Sequence, residues 1–327
     1  MDKVRIGLYG TNGHQIQRAL IDHPLAECVA TAAFDREALP PPLQDDDTIR
    51  HYDTLDALLA DGRVDLVSLC SPRRRDQAQE AIRSLEAGKH VYAEKPCAMT
   101  EAELDAILAT AHRTGKVFHE MAGTAFEQPY LAMRELVQAG TLGTVVQVLA
   151  QKSYPYHDRR PQDEDVDGGL LLQVGVHALR FVEHVAGTKV AGTTVPNIWA
   201  VQTKLGNPEE GELRMATSMM MRLDNGGVAA VICNYLNPPA FGLWGNEALR
   251  IFGTEGFVEA VDGGTRSRLV LNNEDRGPLH IAGPGKRYLD MVLRSLIQGE
   301  PMPLTLEDEV HPTRVLIRAR ADARARE

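Results

Sequence analysis

Short apolar runs alternate with glycine turns and helical spacings through the first 122 positions. Val4–Tyr9 is apolar apart from Arg5, enters Gly10-Thr11-Asn12-Gly13, and is followed by the helical spacing Ile16, Leu20, Ile21. Residues 28–34 form a second run, ending at Asp35. Two clusters, Pro40-Pro41-Pro42 and Asp45-Asp46-Asp47, mark a loop, and residues 55–60 a short helix. Residues 64–70 are apolar but for Asp65 and Ser68, as in a parallel strand covered on both faces. Ser71-Pro72 ends that run. Residues 77–87 predict a helix closed by Gly88, and His90–Ala93 another strand. A helix over 100–114 has Thr100 as N-cap and Glu103 three residues on, a capping box. Val117-Phe118 adds one more strand. This alternation predicts a doubly wound parallel α/β domain of the Rossmann type over 1–122.

The pattern then changes. Residues 129–139 read as a helix stopped by Gly140, after which strand-like stretches dominate: 145–152, 198–204, 212–223, 228–235, 248–252 and 267–271. Asp224-Asn225-Gly226-Gly227 is a hairpin signal. These stretches predict a second, α+β domain over 123–327 with a largely antiparallel open sheet. One helix interrupts them at 169–186. On it Gln173, His177, Arg180 and His184 recur at spacings of four, three and four, which puts them on one face. Such a stripe serves a site or faces solvent. Just before it, Lys152-Ser153-Tyr154-Pro155-Tyr156-His157-Asp158-Arg159-Arg160 gathers aromatic and hydrogen-bonding groups. Only 5% of the chain is aromatic, so two tyrosines in three residues stand out. Lys152, Tyr154 and Tyr156 share a side of an extended chain, where they suit a sugar ring or a subunit contact.

Composition narrows the function. The 327 residues carry a net charge of −10, which leaves no basic excess for phosphates and argues against a nucleic-acid partner. No apolar run approaches the ~20 residues that span a bilayer. The amino terminus runs straight into a strand, which leaves no room for a signal peptide. Cys28, Cys70, Cys97 and Cys233 are widely spaced and form no metal motif. A cytoplasmic protein without a metal is expected.

The candidate chemistry centres on Val91-Tyr92-Ala93-Glu94-Lys95-Pro96-Cys97-Ala98-Met99-Thr100. An apolar strand stops there at a Glu-Lys pair, and proline holds Lys95 out of helical geometry. Ligands of open α/β sheets sit just outside such strand ends. At the first turn, glycines let a backbone approach a pyrophosphate, and a helix amino end supplies N–H donors. A full G-x-G-x-x-G would need glycines at 12 and 15, where Asn12 and Gln15 stand. Asn12 tolerates left-handed backbone as a substitute; Gln15 removes the glycine that lets helix and strand pack closely. Asp35 is placed to bind the adenosine ribose hydroxyls. Arg36 next to it is placed to meet a 2′-phosphate, which Asp35 would repel. NAD is therefore expected over NADP.

Four segments taken together resemble the Gfo/Idh/MocA oxidoreductases, the glucose–fructose oxidoreductase and inositol dehydrogenase relatives. They are strand-Gly10-x-x-Gly13, Asp35, Gly88-Lys89-His90-Val91-Tyr92-Ala93-Glu94-Lys95-Pro96, and Gly168-Gly169-Leu170-Leu171-Leu172-Gln173-Val174-Gly175-Val176-His177. The resemblance implies an NAD(P)-dependent dehydrogenase of a sugar, cyclic polyol or derivative, oligomeric through the open sheet as a homodimer or homotetramer. It makes Lys95 the lysine that contacts cofactor and substrate, and His177 the acid/base. The expected cofactor contacts are Gly10, Thr11, Asn12, Gly13, Asp35, Arg36, Ser71, Glu94 and Lys95. The expected substrate contacts are Lys152, Tyr154, His157, Gln173 and His177. Gln173 stands where the family usually has an aspartate, and Arg180 near a further acid of many members. These departures open the site to a substrate with a carboxylate or phosphate. Arg73-Arg74-Arg75-Asp76 replaces a histidine that the family often has. Two alternatives stay open: an enzyme that retains NAD while oxidising a sugar transiently for elimination or glycosidic cleavage, and an inactive cofactor-binding regulator. The broken glycine turn and the missing acid at 173 favour the regulator; Lys95 and His177 argue against it.

Overall fold

The structure, a computed structural model, describes residues 3–157, 160–192 and 197–327. Asp158 and Arg159 of the aromatic segment lie outside the described residues. The chain divides into two compact units. The first comprises the chain to Met121, Asp165–Asp167 and Tyr288–Val310; the second comprises Ala122–Glu164, Gly168–Arg287 and His311–Glu327. Two stretches beyond residue 123 thus group with the first unit. For the later one the chemistry is a buried carboxylate. Glu309 is fully buried, accepts the Glu120 amide at 2.5 Å and the Tyr288 hydroxyl, and lies 2.7 Å from His119 Nδ1. Burying a carboxylate costs several kcal/mol unless donors surround it, so these contacts fix the segment.

The first unit holds six parallel strands: β1 Val4–Tyr9, β2 Ala26–Ala32, β3 Arg50–Tyr52, β4 Leu66–Leu69, β5 His90–Ala93 and β6 Phe118–Glu120. Their order is β3-β2-β1-β4-β5-β6, every pair parallel. Chain direction across the sheet reverses between β1 and β4, where dinucleotide-binding sheets open a crevice. All four residues of β4 are buried, as its apolar run predicts. Leu58, Ala81, Leu85, Leu104 and Ile107 bury helix faces in the same core. The helix Glu101–Thr114 begins at the expected capping box: Glu103 N donates to Thr100 Oγ1 and Thr100 N to Glu103 Oε2. β3 carries no apolar pattern and was not expected, since Arg50 and His51 are exposed. The helix expected from Ile16 is absent; one 3-10 turn, Gln17–Leu20, stands there.

The second unit is an eight-stranded sheet. Its strands are β7 Val145–Ser153, β8 Ile198–Thr203, β9 Ala216–Arg222, β10 Val228–Asn234, β11 Asn246–Gly253, β12 Gly256–Val261, β13 Arg266–Leu271 and β14 Glu274–Gly277. The order is β14-β13-β12-β11-β7-β10-β9-β8, and β7–β10 is the parallel pair in an otherwise antiparallel sheet. β9 and β10 form the expected hairpin, closed by Leu223 N donating to Gly227 O at 2.9 Å. Registered pairs line up Ala200, Met219, Val231, Ala150 and Leu249 on the buried face. The neighbouring row on the other face is Trp199, Met220, Ala230, Leu149 and Arg250. Period two is plain in the methionines: Met219 and Met221 are buried and Met220 is 62% exposed.

The single helix expected over 169–186 is in three pieces. Gly169–Gln173 and Gly175–Arg180 are α-helical, and Phe181–Val185 is a π-turn. Thr188 Oγ1 donates to Val182 O at 2.7 Å and Arg134 to His184 O, so two side chains take carbonyls of the distorted turn. The predicted stripe is therefore not one solvent-facing row. Gln173 and His177 are half-buried, whereas Arg180 and His184 are buried. Among the described residues, no helix is long and apolar enough to cross a membrane.

Candidate active site

In the first unit the chemistry gathers at the carboxyl ends of β1, β4 and β5. Gly10 has φ +67°, and a Cβ there would stand 2.1 Å from the Cys70 carbonyl oxygen, so only glycine fits. Asn12 is not left-handed, which corrects the expected reason for its presence. Its side-chain amide instead donates to Val166 O at 2.6 Å and Pro72 O at 3.2 Å. Gln15 turns its side chain inward. Its Nε2 donates to the Gly10 and Ser68 carbonyls at 2.9 and 3.2 Å, and its Oε1 accepts the Ser68 hydroxyl at 2.6 Å. It fills the space that a third glycine would leave for a helix against the strand, which accounts for the missing helix.

Glu94, at the end of β5, is buried beside this turn. It accepts the His14 amide at 2.7 Å, and its Oε1 lies 3.0 Å from His14 Nδ1 and 3.7 Å from Lys95 Nζ. Burial pushes its carboxyl up, but the His14 ring and hydrogen bond, Lys95 and Arg74 outweigh that and hold it well below the usual carboxylate range. Gly13, at φ +123°, touches it: a Cβ would fall 2.7 Å from the carboxyl carbon. Lys95 is itself buried, ahead of a cis peptide to Pro96.

Gln77 joins these loops and was not singled out from sequence. Its Nε2 donates to Glu94 O at 2.5 Å and Pro96 O at 3.0 Å, while its Oε1 accepts the Ser71 amide at 3.3 Å and the Arg74 guanidinium. Arg74 also donates to Asn12 O at 2.7 Å. The arginines at 73–75 thus include a loop clamp. The Ser71 hydroxyl is buried with no hydrogen-bond partner among the described residues. Asp35 and Arg36 follow β2 and are exposed; Arg36 is taken up by Gln44 O at 3.1 Å and Asp47 at 3.7 Å.

In the second unit His177 projects from Gly175–Arg180, with Nδ1 3.0 Å from the Thr124 hydroxyl. Its ring meets Tyr154 edge-on at 6.4 Å. Gln173 Oε1 accepts the Tyr235 hydroxyl at 3.3 Å, and Arg160 lies 3.6 Å over the Tyr235 ring. Lys152, expected to face substrate, is almost buried and ion-paired with Glu247, its cross-strand partner in register. Tyr154 and His157 both pack on Trp244, at 5.8 and 5.6 Å between ring centroids. Thr124, Tyr235 and Trp244 were missed because each stands alone in sequence, far from any motif.

Residues 4–121 match the model of an oxidoreductase family with an NAD-binding Rossmann fold, and residues 130–259 match the GFO/IDH/MocA C-terminal domain. The chain belongs to the Gfo/Idh/MocA family of oxidoreductases. One curated relative is the Streptomyces violaceoruber dTDP-3,4-didehydro-2,6-dideoxy-alpha-D-glucose 3-reductase, 36% identical over 140 residues. That match spans only 41% of the chain and 40% of the relative. The Thermotoga maritima myo-inositol 2-dehydrogenase is 24% identical over 263 residues, 77% of the chain and 75% of that protein. Among solved structures, an oxidoreductase from Thermotoga maritima superposes with a TM-score of 0.87 at 23% identity, covering 99% of this chain and 98% of that one.

The dinucleotide that this family binds suits the first unit. Gly10 and Gly13 leave backbone bare, the Ser71 hydroxyl lacks a partner among the described residues, and Asp35 stands exposed after β2. Gly13→Ala should weaken NAD binding by about 10- to 100-fold, since a strained backbone costs about 1–3 kcal/mol and the added methyl collides with Glu94. Isothermal titration calorimetry checks this, with circular dichroism confirming an intact fold. Unchanged affinity would remove the glycine turn from the site.

Proposed function

We propose that the protein transfers a hydride between NAD and a secondary hydroxyl of a sugar, cyclic polyol or derivative. The observation that carries this is the His177 imidazole, half-buried, with Nδ1 at the Thr124 hydroxyl and Tyr154 against its ring. With Nδ1–H donating to Thr124 Oγ1, Nε2 keeps its lone pair and accepts the hydroxyl proton. NAD, when bound, supplies the hydride acceptor. Lys95 stabilises the developing alkoxide and orients the reacting oxygen. Glu94 lies 3.7 Å from its Nζ as a counter-charge. Gly10, Thr11, Asn12, Gly13, Asp35 and Ser71 hold the cofactor in this reading; Tyr154, His157 and Gln173 contact substrate.

His177→Ala should lower turnover by ~10²- to 10⁴-fold, the usual worth of general acid–base help, and leave NAD affinity near its original value. The base works only as neutral imidazole, so oxidation should fall as pH drops and His177 protonates. That acid limb should vanish in the variant. Lys95→Ala should reduce turnover and raise KM together. A screen of sugars and inositols with NAD, followed by nicotinamide absorbance, supplies the assay. Turnover unaffected by His177→Ala would end the assignment.

NAD is assigned over NADP because Asp35 suits free ribose hydroxyls and repels a phosphate, while Arg36 is engaged by Gln44 and Asp47. Asp35→Ala should narrow or reverse the preference in paired Kd measurements. NADP binding the unmutated protein as tightly as NAD would contradict it.

The exposed row Trp199, Met220, Leu149, with Val228 and Ile232 beside it, is too apolar for a face left in water. We assign it to a homodimer or homotetramer. Light scattering at micromolar concentration should return a multiple of 35.9 kDa; a monomer would refute it.

A further inference from the structure

Trp244 is the largest exposed aromatic side chain near His177, and neither the motifs nor the reaction as written uses it. The residue is 57% exposed. It is nevertheless held in place. Asn237, buried at the start of the loop between β10 and β11, donates from Nδ2 to Leu243 O at 2.9 Å and Trp244 O at 3.1 Å. The Asn237 amide donates to Tyr154 O at 3.1 Å, which ties the loop to the end of β7. Trp244 packs on Tyr154 with planes at 40° and on His157 at 34°. Tyr154 in turn meets the His177 ring. Both rings lie tilted against the indole, and more than half of the residue's surface stays open.

An indole fixed in this way prefers an apolar ring face over water. Pyranoses and cyclitols with mainly equatorial hydroxyls present such a face, made of axial C–H bonds. Lys152, 5.0 Å from the Tyr154 ring, is ion-paired with Glu247, and Arg160 is turned onto the Tyr235 ring. The cluster therefore offers stacking area rather than an anion site. We propose that Trp244 is a specificity-determining residue that stacks on the ring of a neutral pyranose or cyclitol substrate. This rests on the reading of His177 given above.

Kinetics test it with the substrate found among glucose, methyl β-D-glucopyranoside and myo-inositol. Trp244→Ala should raise KM about 10-fold, the scale of a tryptophan anchor, and change kcat by less than about 3-fold. Trp244→Phe should recover most of the loss. An unchanged KM overturns the inference while a loss of turnover in His177→Ala keeps the reaction; full turnover in His177→Ala overturns both. The second readout needs no turnover. The chain has two tryptophans, so Trp199→Phe leaves Trp244 as the sole emitter. Its fluorescence should change saturably with the three ring compounds and not with linear sorbitol. Flat emission with every ring, or an equal response to sorbitol, overturns the proposal. So does a Trp244→Ala protein that dissociates in light scattering with KM unchanged, which would make the indole a subunit contact.

Discussion

The first unit depends on keeping one buried carboxylate ionised. Glu94 lies at the end of β5 without access to water, and an unpaired charge there would cost several kcal/mol. Its compensation is local: the His14 amide and ring, the Lys95 ammonium 3.7 Å away, and Arg74. Each partner constrains the chain. His14 comes close enough only if residue 13 has no side chain, so Gly13 serves Glu94 as well as any ligand. With the His14 amide committed to Glu94 and Gln15 bonded to strand carbonyls, residues 14–16 do not enter a helix. The glycine turn keeps its bare backbone but lacks the helix that normally follows it.

Gln77 and Arg74 carry the same constraint outward. One glutamine amide bonds both sides of Lys95, at the carbonyls of Glu94 and Pro96, and also the start of the loop after β4. Arg74 bonds that glutamine and the Asn12 carbonyl. Three strand ends are thereby fixed to one another by side chains. Rigid placement of this kind suits the role proposed for Lys95, because an alkoxide is stabilised only by charge already in position.

The strand–helix alternation, both sheets and the capping box at Thr100 were legible because apolar period and cap chemistry are local properties. β3, β12 and β14 were not, since their residues are short, polar or half-exposed and are strands only by pairing with neighbours. The family motif marked Lys95 and His177. Their supports could not be read in the same way: Thr124, Gln77 and Trp244 act through contacts made at long sequence separation. The stripe Gln173–His177–Arg180–His184 assumed an unbroken helix, and a π-turn that rotates the last turn inward has no signature in a spacing of three and four.

The two departures from the family pattern look different once their burial is known. An arginine near a position where relatives carry an acid suggests a basic site for an anionic substrate. Arg180, however, is fully buried and presents no surface to a ligand. Gln173 is neutral and bonded to Tyr235. Lys152 is matched by Glu247. The replaced acids therefore leave the surroundings of His177 less negative, and the cation that the second unit holds there is Arg160, over the Tyr235 ring, rather than Arg180. A neutral ligand held by hydrogen bonds and ring stacking loses nothing in such surroundings. Burial, more than residue type, decides what a substituted position does to a site.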